Sequence, residues 1–206
     1  REVAMWEWFF KGGPLMWPIL VCSIASAAFV AERLYFFYRN RSSVPNIDAR
    51  IRNLLKQKKY EEAIQQCETT PGYDAHILGI AIRIRAKAHA DKERILTKYA
   101  TKLIRRAEKN MSFLAIIANI APLLGLLGTV TGMIRCFMKI QQLQGSANVS
   151  TLAGGVWEAL ITTAFGLFVA IPTMAFHHYF EIKINNLLEN IKEIITEVLE
   201  DDSAWT

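Results

Sequence analysis

Residues 119–134, NIAPLLGLLGTVTGMI, and residues 155–178, GVWEALITTAFGLFVAIPTMAFHH, decide how this chain folds. Each lies in a charge-poor run of the length a helix needs to cross the hydrocarbon core, about 20 residues. Yet each carries proline, glycine and hydroxyl groups where leucine would anchor better in lipid. Thr129 lies in the first segment, and Glu158, Thr162 and Thr163 lie in the second. A line of hydroxyls with almost no charge suggests a pathway for a small cation rather than a substrate pocket.

Working outward, 52% of the 206 residues are hydrophobic, and they are bunched rather than spread. Three stretches lack Lys, Arg, Asp and Glu: 12–31, 110–134 and 159–180. The expected fold is therefore an all-α membrane protein with three transmembrane helices and long cytoplasmic helical extensions. Residues 39–109 hold 17 of the 24 Lys and Arg, whereas 141–154 hold none. The positive-inside rule then places the N-terminus outside and the C-terminus inside. The net charge of +5 follows from this topology and implies no nucleic acid.

The expected organisation is a periplasmic amphipathic segment at 1–13, a first span at 14–38 and a cytoplasmic helical domain at 39–111. A second span at 112–140, a periplasmic loop at 141–154 and a third span at 155–180 follow. A cytoplasmic helix at 181–206 ends the chain. In residues 3–11, Trp6, Phe9 and Phe10 share a helical face suited to the outer interface. An aromatic belt of Trp6, Trp8 and Trp17 is the competing reading. The chain begins at Arg1 rather than methionine, which leaves a removed signal peptide open.

Within the cytoplasmic domain, Ile51, Leu54, Leu55, Tyr60, Ala63 and Ile64 predict a helical hairpin around residues 56–59, broken at Thr70-Pro71-Gly72. A second pattern over 77–84 is expected to run through a polar helix at 92–109 directly into the second span. Lys98, Lys102, Arg105, Arg106 and Lys109 read as a solvated face touching lipid headgroups in the bilayer. Glu32 and Arg33, near the inner end of the first span, read as structural. Ile184, Leu187, Leu188, Ile191, Ile194, Ile195, Val198 and Leu199 form an apolar stripe that needs a partner. That partner is either the helices of 51–90 or the same helix in neighbouring subunits. Cys22, Cys67 and Cys136 form no disulfide framework.

The membrane chemistry lies in the second and third spans. Gly125, Gly128 and Gly132 permit close helix approach, and Pro122 and Pro172 remove backbone donors and bend their helices. Thr129 lies roughly 8 Å from the outer end of its span and Thr163 roughly 9 Å from the outer end of the next. The two hydroxyls are thus expected at matching depth. Glu158 is the only acidic residue in either span, and a membrane carboxylate is a functional candidate. Adjacent His177 and His178 point to different helix faces, so no metal site is expected from them. No nucleophile, base or metal cluster indicates an enzyme, and no cofactor is expected. Threonine neither takes up nor releases a proton at neutral pH, so a titrating group must come from another chain if protons are the cargo.

APLLGLLGTV at 121–130, EALITTAFGL at 158–167 and AIP at 170–172, in this three-span layout, resemble the MotA/TolQ/ExbB family of ion-channel stator proteins, in its ExbB/TolQ branch. The resemblance implies a homopentamer around a central pore in the bacterial inner membrane. It implies, inside that pore, a dimer of an ExbD/TolR-like single-span protein carrying a membrane aspartate. A TonB-like protein is a further implied partner. Thr129 and Thr163 match the family's pore threonines, Glu158 its third-span glutamate, and Pro122 and Pro172 its bending prolines. Gly166 falls within the second motif as a packing residue. The implied function couples the proton motive force to mechanical work on a periplasmic or outer-membrane load.

Thr162 departs from this pattern, standing where typical members have a small apolar residue. An extra hydroxyl, joined by Thr131 if that residue faces the pore, opens a sodium-driven version as an alternative. A non-conducting membrane scaffold is the other. The flagellar branch is disfavoured because its extra span is missing.

Overall fold

The computed structural model describes residues 12–40, 47–142 and 149–200. Among these, the regular elements are helices: α1 Met16–Arg39, α2 Ile47–Lys56, α3 Tyr60–Thr69, α4 Tyr73–Arg83, α5 His89–Ala107, α6 Met111–Gln142 and α7 Val149–Glu200. The all-α expectation holds. The amphipathic segment at 3–11, with Trp6 and Trp8, lies outside the described residues. Three helical stretches are long and apolar enough to span a membrane: Met16–Arg39, His89–Gln142 and Ala153–Glu200. Their apolar windows are only 22%, 33% and 33% buried. Leu123, Leu126, Phe168 and Ile171 face outward, and burying such area is favourable by about 25 cal/mol per Å². Lipid or neighbouring subunits must therefore cover these faces.

The chain divides into two units. The first holds α1 to Ala31, then α6, and α7 to His178. Ile19 packs with Ile117, Ala121, Val169 and Ala170, and Phe29 stacks on Phe113 at 5.5 Å. Across α6 and α7 the pairing runs Ala121 to Gly166, Gly125 to Thr163, Gly132 to Ala159 and Cys136 to Gly155. Numbers rise on one helix as they fall on the other, so the pair is antiparallel. The contacts of Gly12, just before α1, with Thr162 and of Ser26 in α1 with Thr173 rise together, so α1 and α7 are parallel. Consecutive spans thus alternate in direction, as three crossings require. Thr173 donates to the Val169 carbonyl at 2.7 Å, which leaves Ser26 to donate to Thr173 at 2.6 Å. Both hydroxyls are buried and satisfied, as a buried polar pair needs to be.

The second unit holds residues 32–109 and the chain from Tyr179 onward. Its core joins Ile51, Leu55, Ala63, Cys67, Ile77, Ile82, Leu96 and Leu103 to Ile191 and Val198 of α7. Ile191 and Val198 of the C-terminal stripe are therefore buried within their own chain, in a core that runs from Ile51 to Leu103. The hairpin expected around 56–59 is present, with Lys58 in the left-handed region at φ 59°. The break at 70–72 is also present, and Gly72 starts α4 at φ 137°. Tyr73 leads α4, and burial pushes its phenol pKa up to about 12, against the opposing pull of Arg33 and Arg106.

The helix expected to run unbroken from 77 into the second span is interrupted twice. One break follows α4 before Ala88 caps α5, and the other separates Ala107 from Met111. Asn110 takes φ 65° there; asparagine tolerates this left-handed geometry and commonly ends helices. The connection expected at 141–154 also begins and ends in helix, since α6 reaches Gln142 and α7 starts at Val149.

Arg33 fixes the end of α5. Its Nη1 donates to the carbonyls of Arg106 at 3.1 Å and Ala107 at 3.0 Å. Nε and Nη2 fork onto the Glu32 carboxylate at 2.8 and 2.5 Å, and the Phe36 ring lies 4.5 Å from the guanidinium. The side chain is 1% exposed. Helix C-termini leave carbonyls without partners, so this arginine acts as a cap. We expect Arg33→Ala to destabilise the second unit by about 2–3 kcal/mol, the range for charged hydrogen bonds lost from buried sites. Thermal unfolding of the purified protein would measure it, and an unchanged midpoint would contradict the capping role.

Candidate functional site

The seam between α6 and α7 is built on glycine. A Cβ on Gly125 would stand 3.0 Å from the Thr163 Cα, and one on Gly132 would stand 2.9 Å from the Ala159 Cβ. One on Gly128 would overlap the Thr162 methyl. From the other side, a Cβ on Gly166 would stand 2.7 Å from the Ala121 carbonyl oxygen and 3.0 Å from the Gly125 Cα. With side chains removed along this line, backbone meets backbone, as in small-residue packing of membrane helices. The sequence reading named these glycines, and the structure places all four in one continuous contact.

This closeness makes an interhelical hydrogen bond possible. Thr163 Oγ1 donates to the Gly125 carbonyl at 2.8 Å, whereas a membrane threonine ordinarily bonds within its own helix. Thr129 does so, donating to Leu126 at 2.7 Å, and Thr131 does so to Leu127 at 2.9 Å. Thr129 and Thr163 are both partly exposed within the chain, whereas Thr162 is 1% exposed. The Thr162 hydroxyl sits 2.8 Å from the Gly12 carbonyl and 2.9 Å from that of Glu158. The adjacent threonines therefore face different surroundings.

The register refines the depth count. Thr163 lies opposite Gly125, four residues or ~6 Å along the axis from Thr129. Each Cα–Cβ bond tilts toward the N-terminus of its helix. In an antiparallel pair these tilts converge and reduce the offset. Pro122 lies half-buried within α6 and Pro172 lies exposed within α7.

Glu158 is paired. Arg135 Nη1 donates to its Oε1 at 2.8 Å, with the side chains 50% and 31% exposed. Gly13 packs on the same carboxylate at φ 74°, where a Cβ would collide with Oε1. Sequence reasoning took Arg135 only as the end of the charge-free run at 110–134. The opposite charges of Arg135 and Glu158 at neighbouring span ends were the available signal. Because both groups are solvated, the pair should add less than ~1 kcal/mol. A double-mutant cycle with Arg135→Gln and Glu158→Gln, read by thermal unfolding, is expected to give a coupling below that value. A larger coupling would make the pair a structural clamp.

No cluster of metal ligands occurs among the described residues. The family model of the MotA/TolQ/ExbB proton channel family matches residues 53–193, which include the whole glycine seam. The chain belongs to this family. It is 37% identical over 175 residues to the putative biopolymer transport protein ExbB-like 1 of Synechocystis sp., covering 79% of this chain and 65% of that protein. It is 30% identical over 172 residues to biopolymer transport protein exbB1 of Vibrio cholerae, covering 79% and 73%. It is also 30% identical over 153 residues to Tol-Pal system protein TolQ of Pseudomonas aeruginosa, covering 73% and 60%. The matches thus span about two thirds of these relatives' own lengths. As a member of this family the chain is a multi-pass membrane protein of the ExbB/TolQ branch, and the family is not one of enzymes.

Proposed function

We propose that this chain is the channel and stator subunit of an ExbB/TolQ-like motor. It would couple the proton motive force across the bacterial inner membrane to work on a periplasmic or outer-membrane load. In this reading five copies surround a central pore, with N-termini outside and C-termini in the cytoplasm. The segments 14–38, 112–140 and 155–180 cross the bilayer. A dimer of an ExbD/TolR-like single-span partner occupies the pore and supplies a membrane aspartate, and a TonB-like protein receives the work where import is the load.

The protons of the two pore-candidate hydroxyls carry this reading. Thr129 and Thr163 both commit their O–H to backbone carbonyls. What remains on each oxygen is acceptor capacity. Such an oxygen can take a hydrogen bond from a protonated carboxyl but can give none to a carboxylate. A ring of them therefore distinguishes the two protonation states of a partner's aspartate. Thr162 favours the proton version over the sodium one, because its hydroxyl is buried between the Gly12 and Glu158 carbonyls instead of adding an exposed ligand.

Co-expression with the single-span protein of the neighbouring gene, followed by purification and subunit counting, tests the assembly. A complex of five copies with two partner chains is expected, and failure to co-purify any such partner would count against the motor. Energised activity should survive withdrawal of sodium with the proton gradient maintained. Its loss would instead favour sodium coupling.

A further inference from the structure

A cavity of about 440 Å³ opens in the second unit, between the end of α1, the start of α4 and α7. Its volume falls within the range of small-molecule sites, about 300–1,000 Å³. Phe37, Tyr179, Lys183, Asp74, Asn186 and Asn190 line it. The wall is firm, because Phe37 stacks on Phe180 with centroids 5.7 Å apart and planes 11° from parallel. Two of its helices enter it just past the charge-free stretches, α1 after 12–31 and α7 after 159–180. Those are the positions where a spanning helix leaves hydrocarbon and meets headgroups, in a belt that favours aromatic and basic side chains.

The polar lining is mixed in charge. Lys183 Nζ lies 5.7 Å from the Tyr179 ring centroid, so its described contact is an aromatic face that leaves the positive charge in place. Asp74 contributes a carboxylate, which has acceptor sites for more than one bond, and the two asparagines add amide carbonyls. Tyr73 also lines the cavity, and its buried hydroxyl has no hydrogen-bond partner among the described residues. Buried polar groups are normally bonded, so this wall can take one more acceptor.

We propose that this cavity binds the headgroup of a membrane phospholipid of the phosphoethanolamine type. Lys183 meets the phosphate, Asp74 and the asparagine carbonyls meet the ammonium, and the apolar wall of Leu34 and Phe37 covers the glycerol end. A zwitterion with N–H donors matches a site that holds both signs of charge. Phosphocholine lacks those donors, and phosphoglycerol lacks the cation. Free phosphoethanolamine has the same polar chemistry, but a lining whose residues directly follow two charge-free apolar stretches in the sequence favours the lipid. The assignment stands apart from the motor reading and does not depend on it.

The full-length chain, delipidated in detergent, should be titrated with phosphatidylethanolamine, phosphatidylcholine, phosphatidylglycerol and water-soluble phosphoethanolamine, with occupancy read by native mass spectrometry. Phosphatidylethanolamine is expected to bind once per chain, at least tenfold more tightly than the other three. Lys183→Gln should weaken binding at least tenfold. Asp74→Asn should abolish the preference for phosphatidylethanolamine over phosphatidylglycerol while some binding remains. Asn190→Phe narrows the cavity without changing its charge and should also reduce occupancy; its helicity and thermal midpoint check that the fold is intact. Equal affinity for the three lipids, or full occupancy in Lys183→Gln, would overturn the site. Phosphoethanolamine binding as tightly as the lipid would overturn the membrane source.

Discussion

Gly166→Leu should separate α6 from α7 and prevent recovery of folded, assembled protein, while Gly154→Ala should change nothing. A Cβ at Gly166 meets backbone on two sides, the Ala121 carbonyl oxygen at 2.7 Å and the Gly125 Cα at 3.0 Å. Backbone cannot rotate away as a flexible side chain can, so even Gly166→Ala forces the helices apart. Overpacking of this kind destabilises by about 1–3 kcal/mol. Opening the seam also stretches the 2.8 Å bond from Thr163 to Gly125, a further ~1 kcal/mol. Leucine adds three more carbon atoms at the same point. Gly154 has open space around it and so controls for the loss of glycine itself. Thermal unfolding in detergent and size-exclusion chromatography would read both variants. A wild-type midpoint for Gly166→Ala would show that the seam is looser than its contacts indicate.

Thr163→Val should reduce energised, partner-dependent activity to background, a loss of at least tenfold, with assembly retained. Valine keeps the shape of threonine and removes the hydroxyl, so the fold loses one interhelical hydrogen bond, about 1 kcal/mol. The functional loss is expected to be larger because the acceptor at this position disappears. Thr163→Ser restores the hydroxyl and should restore most of the activity. That rescue separates a chemical role from a packing one. Full activity in Thr163→Val, with assembly verified, would remove Thr163 from the ion pathway. Thr129→Val tests the other helix, where the hydroxyl bonds only its own backbone and the structural loss should be smaller.

Much of the fold could be read in the chain because the deciding signals are local. Charge depletion over 12–31, 110–134 and 159–180 marked the spans, and the stripe from Ile184 to Leu199 marked an amphipathic helix. The turn at 56–59 and the break at Thr70-Pro71-Gly72 followed from local composition. The interruptions around residues 84–88 and 108–110 were missed, because no proline or glycine punctuates either one. Asn110 ends its segment through a left-handed backbone that asparagine permits but does not require. At the site, residue types were legible but partners were not. Counting along each helix brought Thr129 and Thr163 to similar depth, but only the glycine register places Thr163 against Gly125. Nothing in the local sequence indicated that Thr162 would be buried beside the Gly12 carbonyl while Thr163 turned to Gly125.

The sequence by itself determined the helical class, the three apolar crossings and the glycines, prolines and threonines at which those crossings depart from simple anchors. Hydrophobicity and helical period are summed along the chain, so they need no knowledge of neighbours. The tertiary structure decided which carbonyl each hydroxyl meets, that Arg135 neutralises Glu158, that Arg33 caps α5, and that the C-terminal stripe is buried within its own chain. These depend on the rotation and register of one helix against another. Those are set by where glycine lets two backbones touch.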